Sequence, residues 1–326
     1  MAWTAGLAYD ARRFARRDPH LPGPAGSAWM AISWGVSPIA WANDDLPALG
    51  GAITSDRIMA EANAIGFEGI ELGNRFPRDP ALLSSQLSAH DLRLIGGWYG
   101  SSLLTRSAEA EIATLQTHLA LLQKLGSDVF ILAETSNAIH GQRGTPLTLR
   151  PRLQSADWAV FGARLDRVAA YLADRGFCLA YHHHLGTVVE TGEDLHSLIE
   201  ATGDQVRLTL DTGHATLAGI DPVAIVRQYS SRIAHVHCKD VRAARFAALK
   251  RVKGSFLDGV VEGMFTVPGD GDMDFAPLLR ALADIGYDGW VVIEAEQDPA
   301  KADPATYQRL GLDTLRRIAA ETGLVA

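Results

Sequence analysis

The chain has 326 residues, of which 47% are hydrophobic and 21% charged, a composition typical of a soluble globular protein with a large core. Its 30 basic and 38 acidic residues give a net charge of −8, which argues against a nucleic-acid partner because phosphate binding needs a basic surface. No apolar run approaches the roughly 18 residues that a membrane helix needs. The two cysteines, Cys178 and Cys238, lie in apolar segments, so we predict a cytoplasmic protein without disulfides.

The first 29 residues differ in composition from the rest of the chain. They contain an arginine-rich patch and a Pro/Gly stretch, and they lack the continuous apolar segment of a secretory signal. We predict that residues 1–29 are a disordered or extraneous extension. A single catalytic domain is expected to span residues 30–326.

From Met30 onward, short apolar segments alternate with helical stretches. The helical stretches at 55–66, 108–126 and 158–176 each end in glycine just before an apolar segment, as helices with a left-handed terminal residue do; the first is expected to start at a Ser55 cap. The apolar segments are rich in Ile, Val, Leu and aromatic residues, as parallel strands buried on both faces are. They lie at residues 31–36, 69–72, 92–96, 128–133, 177–181, 206–210, 233–237 and 290–293.

Eight strand–helix alternations predict the α/β class and a closed (β/α)8 TIM barrel. The main alternative, an open doubly wound sheet, would normally have fewer strands, and no G-x-G-x-x-G follows the first strand here. A long insertion follows the seventh strand at residues 242–264. In a barrel it would lie at the catalytic face, either as a lid or as a surface excursion.

Polar residues with catalytic chemistry concentrate where the predicted strands end. Active sites of α/β barrels form at the carboxyl ends of the strands, so these side chains are expected to meet at one rim. Carboxylates and imidazoles in such numbers favour a divalent metal, with no thiolate set to compete. The rim residues are Glu71, Glu134, His182, His183, His184, Asp211, His214, His235, His237, Lys239, Asp240, Glu294 and Glu296.

Four of these rim residues, one from each of four adjacent strands, form our predicted metal site: His182, Asp211, His237 and Glu294. Because side chains alternate along a strand, His182 and His184 are expected to face one side and His183 the packing on the other. By the same alternation His235 shares a face with His237 one layer deeper, as a ligand or as a residue that orients one.

Acid–base candidates are Glu134, His184, His214 and Lys239, which the sequence leaves unranked. Trp98 and Tyr99 after the third strand, and Trp41 and Asn43 after the first, are expected either to line the pocket or to pack in the core. The glycine-rich loop at residues 268–272 either approaches a ligand closely or makes a plain turn before a helix starting near Asp274.

The segments LDTGH (210–214), HVHCKD (235–240), VPGDGDMDF (267–275) and GYDGWVVIEAEQDP (286–299) resemble the xylose-isomerase-like barrel superfamily. That group includes sugar isomerases, ketose epimerases, dehydroshikimate dehydratases and metal-dependent abasic-site endonucleases. The resemblance covers nearly the whole chain from Met30. The superfamily usually has a glutamate ligand at the end of the fifth strand, where this chain has His182. Its other three ligand positions match Asp211, His237 and Glu294.

Within this superfamily, YHHHLGTVVET (181–191), VHCKDVR (236–242) and SWGVSPIAWANDD (33–45) are similar to the myo-inosose-2 dehydratases. This resemblance implies dehydration of 2-keto-myo-inositol to a trihydroxycyclohexane-1,2-dione in inositol breakdown. It also implies a small polyol-ketone as substrate, Mn or Co as the metal, and a homodimer or homotetramer. Glutathione is a requirement implied by the resemblance alone, since no motif here indicates a glutathione site.

Three alternative functions are less consistent with the sequence. A sugar or ketose isomerase or epimerase would share the barrel and metal, but it would not release water. His182 in place of the strand-five glutamate disfavours it, because epimerases use two carboxylates as a proton-transfer pair. The net charge of −8 disfavours an abasic-site endonuclease. A non-catalytic polyol-binding barrel is disfavoured by the intact rim residues.

Overall fold

The computed structural model describes residues 32–324. Eight parallel strands close into a barrel in which the first strand along the chain pairs with the second and with the last. This confirms the predicted (β/α)8 barrel. The barrel strands are β1 (Ser33–Val36), β2 (Gly69–Leu72), β3 (Arg93–Ser101), β4 (Val129–Glu134), β5 (Cys178–His182), β6 (Val206–Asp211), β7 (Ile233–Cys238) and β10 (Trp290–Ile293); β8 (Asp240–Val241) and β9 (Phe265–Thr266) pair separately as a two-stranded antiparallel sheet.

The helices surround the barrel and cover its strands. Nearly all strand residues are buried, because a parallel strand in a barrel packs on helices outside and on side chains inside. The helices are α1 (Ser55–Ile65), α2 (Pro80–Ala89), α3 (Ala108–Thr114), α4 (Gln116–Lys124), α5 (Ser155–Ala173), α6 (Gly192–Ala201), α7 (Thr212–Leu217), α8 (Pro222–Gln228), α9 (Ala243–Arg251), α10 (Phe256–Val261), α11 (Ala276–Asp284) and α12 (Pro304–Thr322).

Helix ends follow local chemistry, and here the structure corrects some boundaries. The cap of α1 is Thr54, not Ser55, since the Thr54 hydroxyl accepts from the Arg57 N–H at 3.3 Å. The predicted helix at 108–126 is two helices that meet at Leu115. The predicted glycine stop is confirmed at Gly66, which ends α1 at φ 107°, a backbone conformation that glycine adopts without steric cost.

Strand boundaries differ from the predictions by one or two residues in most cases and by more at β3. That strand runs to Ser101, so Trp98 and Tyr99 lie inside it rather than after it. Glu134 is the last residue of β4, and His182 the last of β5. The predicted N-terminal extension, residues 1–29, lies outside the described residues.

The insertion at 242–264 folds into α9 and α10 and packs as a small second core. Val241, Phe246, Leu249, Phe256 and Met264 are among its buried residues. The insertion is tied to the segment after β4 by a hydrogen bond from the Leu147 N–H to the Gly254 carbonyl at 3.2 Å. Within residues 32–324, none of the helices has the length and apolarity that crossing a bilayer requires.

Candidate metal centre

The barrel brings the four predicted metal ligands together. His182, Asp211 and His237 are at the ends of β5, β6 and β7, and Glu294 directly follows β10. The register aligns them, because Asp211 pairs with His237 across the β6–β7 ladder. One ligand atom from each of the four residues lies within 4.8 Å of the others, so a single point is within reach of all four.

The distances within this donor set are those of groups that face a common centre. His182 Nε2 lies 3.3 Å from His237 Nδ1 and 3.7 Å from Asp211 Oδ2. His237 Nδ1 lies 3.6 Å from the same oxygen and also contacts the Glu294 carboxylate. All four side chains are buried.

Asp211 provides the test of whether the set fits a cation. Its Oδ1 accepts the His214 N–H at 2.8 Å and so caps α7. Its Oδ2 is buried and accepts no hydrogen bond within residues 32–324. Burial acts to raise the pKa of Asp211, but the charge of Lys239 and the neighbouring imidazoles hold it well below its usual range. A buried, charged oxygen facing imidazole nitrogens is suited to a divalent cation.

Glu71, at the barrel end of β2, orients the metal-site imidazole of His237. Its Oε1 lies 2.8 Å from Nε2 of both His237 and His235. Burial would raise the pKa of Glu71, but these two histidines lower it to about 2. A carboxylate on Nε2 leaves Nδ1 of His237 as the donor atom on the metal side. His235 therefore lies behind the donor set, which agrees with the second of its two predicted roles, that of a residue that orients a ligand rather than a ligand itself.

Lys239 lies at the centre of a second polar group beside the donor set. Its Nζ is 3.0 Å from Glu294 Oε1, 2.7 Å from Glu296 Oε1 and 3.0 Å from His214 Nε2. Burial would lower the pKa of Lys239, but the surrounding carboxylates raise it above its usual value. A second group of donor atoms close enough to hold a metal ion comes from His184, His214 and Glu296. The ammonium of Lys239 already supplies a positive charge beside this group.

His184 faces the same side as His182, as strand alternation predicted: both rings contact Trp98, at 5.6 and 5.1 Å. His184 Nδ1 donates to the Leu185 carbonyl at 2.7 Å, which leaves Nε2 as an acceptor. Burial lowers the pKa of His184 well below its usual value. The adjacent His183 turns away and accepts the Asp211 N–H at 3.4 Å.

Glu134 is separate from this group, so the structure does not support its predicted acid–base role. Its carboxylate accepts hydrogen bonds from Ser101 Oγ at 2.8 Å, the Leu103 N–H at 2.6 Å and the Ser136 N–H at 2.9 Å. The Ser136 hydroxyl also donates to it. Burial raises the pKa of Glu134. These hydrogen bonds connect the segments that follow β3 and β4, and they use both oxygens of the Glu134 carboxylate.

A pocket that opens to solvent adjoins the donor set. Trp98 lines this pocket. The Tyr99 hydroxyl instead donates a hydrogen bond to Glu111 Oε1 at 2.5 Å. Trp41 lies in the core, and its indole N–H donates to Glu61 Oε2 at 2.6 Å. The lining residues are Ser37, Pro38, Ile39, Asp44, Asp45, Glu71, Leu72, Trp98, Ile131, His184, His237, Glu294 and Glu296.

Sequence reasoning missed part of this lining. Asp44 and Asp45 line the pocket, although the sequence pattern indicated only Trp41 and Asn43 in this segment. The available signal was a pair of adjacent acidic residues shortly after a strand. Glu296 was noted at the rim without a role. Its Oε2 is buried and accepts no hydrogen bond within the described part of the chain, and burial raises its pKa.

The glycine-rich loop at 268–272 is a supporting turn and does not line this pocket. The Asp240 carboxylate accepts the N–H groups of Gly269, Gly271 and Met273 at 3.0–3.2 Å. The helix after it begins at Ala276, whose N–H donates to Asp274.

The insertion at 242–264 contributes Phe256, whose ring stacks on that of His214 with their centroids 5.8 Å apart. The insertion therefore forms a wall behind the imidazoles.

The fold and site thus define a (β/α)8 barrel with a group of residues at its mouth that could hold a divalent cation. A model of the xylose isomerase-like TIM barrel family matches residues 59–318, and the chain belongs to that family. The rhizopine catabolism protein MocC of Rhizobium meliloti is 43% identical over 294 residues, covering 90% of each chain. Inosose dehydratases of Geobacillus thermodenitrificans and Clostridium perfringens are 39% and 38% identical, over 85% of this chain and 93% and 94% of theirs.

Solved structures share the fold at much lower identity. The probable 3-DHS dehydratase AsbF of Bacillus anthracis superposes with a TM-score of 0.63 at 16% identity, over 87% of this chain and 99% of that one. D-allulose 3-epimerase of Methylomonas sp. gives 0.60 at 19% identity, over 88% and 97%. Because dehydratases and epimerases share this barrel, the fold does not select between them.

Proposed function

We propose that this protein is a metal-dependent hydro-lyase that removes water from 2-keto-myo-inositol and yields a trihydroxycyclohexane-1,2-dione. The observation that carries the proposal is the 38–39% identity to inosose dehydratases over 85% of the chain. The pocket is consistent with it, since carboxylates and imidazoles suit a polyhydroxylated ketone that binds by hydrogen bonds.

His182, Asp211, His237 and Glu294 would hold the metal, for which we propose Mn or Co because imidazole and carboxylate donors suit such ions. Asp211 Oδ2, which accepts no hydrogen bond within the described residues, supports this assignment. When bound there, a divalent cation polarises the substrate ketone as a Lewis acid and makes the neighbouring C–H more acidic.

We assign the proton transfers to side chains beside the donor set. His184 lines the pocket with Nε2 free to accept, so it takes the proton from the carbon next to the ketone. The hydroxyl on the following carbon leaves with its electron pair, accepts a proton and departs as water. Glu296, whose pKa burial raises, lines the pocket 2.7 Å from Lys239 Nζ. In its protonated form it donates that proton to the leaving hydroxyl group, while His214 orients Lys239. The resulting enol tautomerises to the dione.

The alternative, a ketose isomerase or epimerase, needs a proton-transfer group on each face of the substrate. An imidazole at position 182 leaves the donor set with two carboxylates, Asp211 and Glu294. This arrangement favours proton abstraction on one side. An assay for dione formation separates the two functions, because only the dehydratase releases water.

The test is an ultraviolet assay of dione formation from 2-keto-myo-inositol, with metal-stripped protein to which Mn, Co, Mg or nothing is added back. We expect absorbance growth with Mn or Co and loss of activity without metal. Ketose interconversion under the same metals, with no absorbance change, would contradict the dehydratase and favour the epimerase.

Three further properties remain proposals from the sequence. We propose that the enzyme is cytoplasmic, which agrees with the free thiols of Cys178 and Cys238. A homodimer or homotetramer is proposed from the resemblance, as is a glutathione requirement. Size-exclusion chromatography with light scattering and the same assay with and without glutathione test the last two.

A further inference from the structure

Acidic side chains are the most numerous polar groups that line the pocket beside the donor set. Five carboxylates line it together with two imidazoles, and no lysine or arginine is among its described lining residues. Carboxylates accept hydrogen bonds from hydroxyl groups and repel phosphates and other carboxylates. The five are Asp44, Asp45, Glu71, Glu294 and Glu296.

Three of these carboxylates are engaged inside the barrel. Glu71 contacts two histidines, and Glu294 and Glu296 both contact Lys239. Asp44 and Asp45 differ, because they belong to the segment after β1 and are not part of the donor set. Asp44 is exposed, and the Asp45 side chain is 27% exposed, so a ligand in the pocket can reach both.

The two aspartates are held in place before any ligand binds. The Asn43 side chain accepts the N–H groups of Asp45 and Leu46 at 2.9 and 2.7 Å. The Asn74 N–H donates to Asp44 Oδ1 at 3.1 Å, and His140 Nε2 lies 3.7 Å from Asp45 Oδ1. These contacts use Oδ1 of each aspartate and leave Oδ2 to other donors. Acceptors fixed in this way bind hydroxyl groups at little entropic cost.

We propose that Asp44 and Asp45 determine substrate specificity: they bind hydroxyl groups of a neutral polyhydroxylated ring ketone and exclude phosphorylated substrates. The inference rests on the proposed function for the identity of the reacting ketone. Its binding part concerns any neutral cyclic polyol, and it can therefore be tested apart from catalysis.

The first experiment compares the metal-loaded full chain with Asp44→Asn and Asp45→Asn, which keep the side-chain shape and remove the charge. We expect each variant to raise the KM for 2-keto-myo-inositol about tenfold or more, as loss of a hydrogen bond to a charged group does. Metal content and kcat should remain near wild type. Asp313→Asn, an exposed aspartate on α12, is the matched control and should change neither.

The second experiment measures binding of two unreactive probes, myo-inositol and an inositol monophosphate, by calorimetry. We expect the wild-type protein to prefer myo-inositol, and Asp44→Lys to gain about tenfold or more in affinity for the monophosphate. A gain of binding cannot come from misfolding. If wild type binds both probes equally, or if the asparagine variants bind and turn over as wild type does, the specificity role is wrong. If Asp44-dependent binding of myo-inositol occurs without dione formation, this inference stands and the proposed function fails.

Discussion

Two buried carboxylates at strand ends of the same barrel have opposite surroundings. Glu134 ends β4 and Asp211 ends β6, and neither side chain is exposed. Glu134 accepts hydrogen bonds on both oxygens from Ser101, Leu103 and Ser136. Asp211 accepts one on Oδ1, while its Oδ2 accepts none within the described residues.

The difference shows how to recognise a functional carboxylate inside a barrel. Burial of a carboxylate costs free energy unless hydrogen bonds or charges compensate it. At Glu134 nearby backbone and hydroxyl donors provide that compensation, which leaves no lone pair directed at the pocket. At Asp211 the compensation comes from Lys239 and imidazoles that face a common point. An oxygen that accepts no hydrogen bond within the described residues, together with the imidazoles that converge on it, distinguishes Asp211 from Glu134.

The largest expected effect is that of Asp211→Asn. Asparagine keeps the oxygen that caps α7 and removes the negative charge from the donor set. We expect loss of bound metal and a fall of about 10³-fold or more in kcat/KM, because metal charge stabilisation contributes several kcal/mol. Metal analysis together with the dione assay checks this. A variant with full metal content and full turnover would mean that Asp211 is not a ligand.

A smaller effect is expected for Glu71→Gln, which changes the group behind His237. Glutamine weakens the hydrogen bond that fixes the His237 tautomer and reduces the basicity of Nδ1. We expect metal affinity to fall about 10- to 100-fold, measured by competition with a chelator, and activity to recover at high metal concentration. Unchanged affinity would show that Glu71 does not orient the imidazole.

The smallest effect on activity is expected for Glu134→Gln. Its amide group would face N–H donors that need an acceptor, so we expect the free energy of unfolding to fall by about 2 kcal/mol. Metal content and activity of the folded protein should stay within about twofold of wild type. Denaturant unfolding and the dione assay measure the two quantities. Lost activity at unchanged stability would instead restore Glu134 as an acid–base residue.

Much of the fold could be predicted from the sequence, because the residue patterns that favour strands and helices extend over only a few neighbouring residues. Eight apolar segments, three of them preceded by a predicted helix that ends in glycine, identified all eight barrel strands. The errors were mostly at boundaries: the strand predicted at 92–96 continues to Ser101 in β3. Pairing with β2 and β4 stabilises residues 97–101 in strand conformation, and a local pattern contains no information about such pairing.

By itself, the sequence determined the barrel and the four residues that converge as a donor set, since strand order in a closed parallel barrel dictates which residues meet at its mouth. Only the tertiary structure decided which acidic side chains have an oxygen available to a ligand. It showed Glu134 to be fully hydrogen-bonded, Glu71 to lie behind His237, and Asp44 and Asp45 to line the pocket. These roles depend on hydrogen-bond donors from segments distant in the chain, such as Asn74 for Asp44 and His237 for Glu71, and that proximity arises only when the barrel closes.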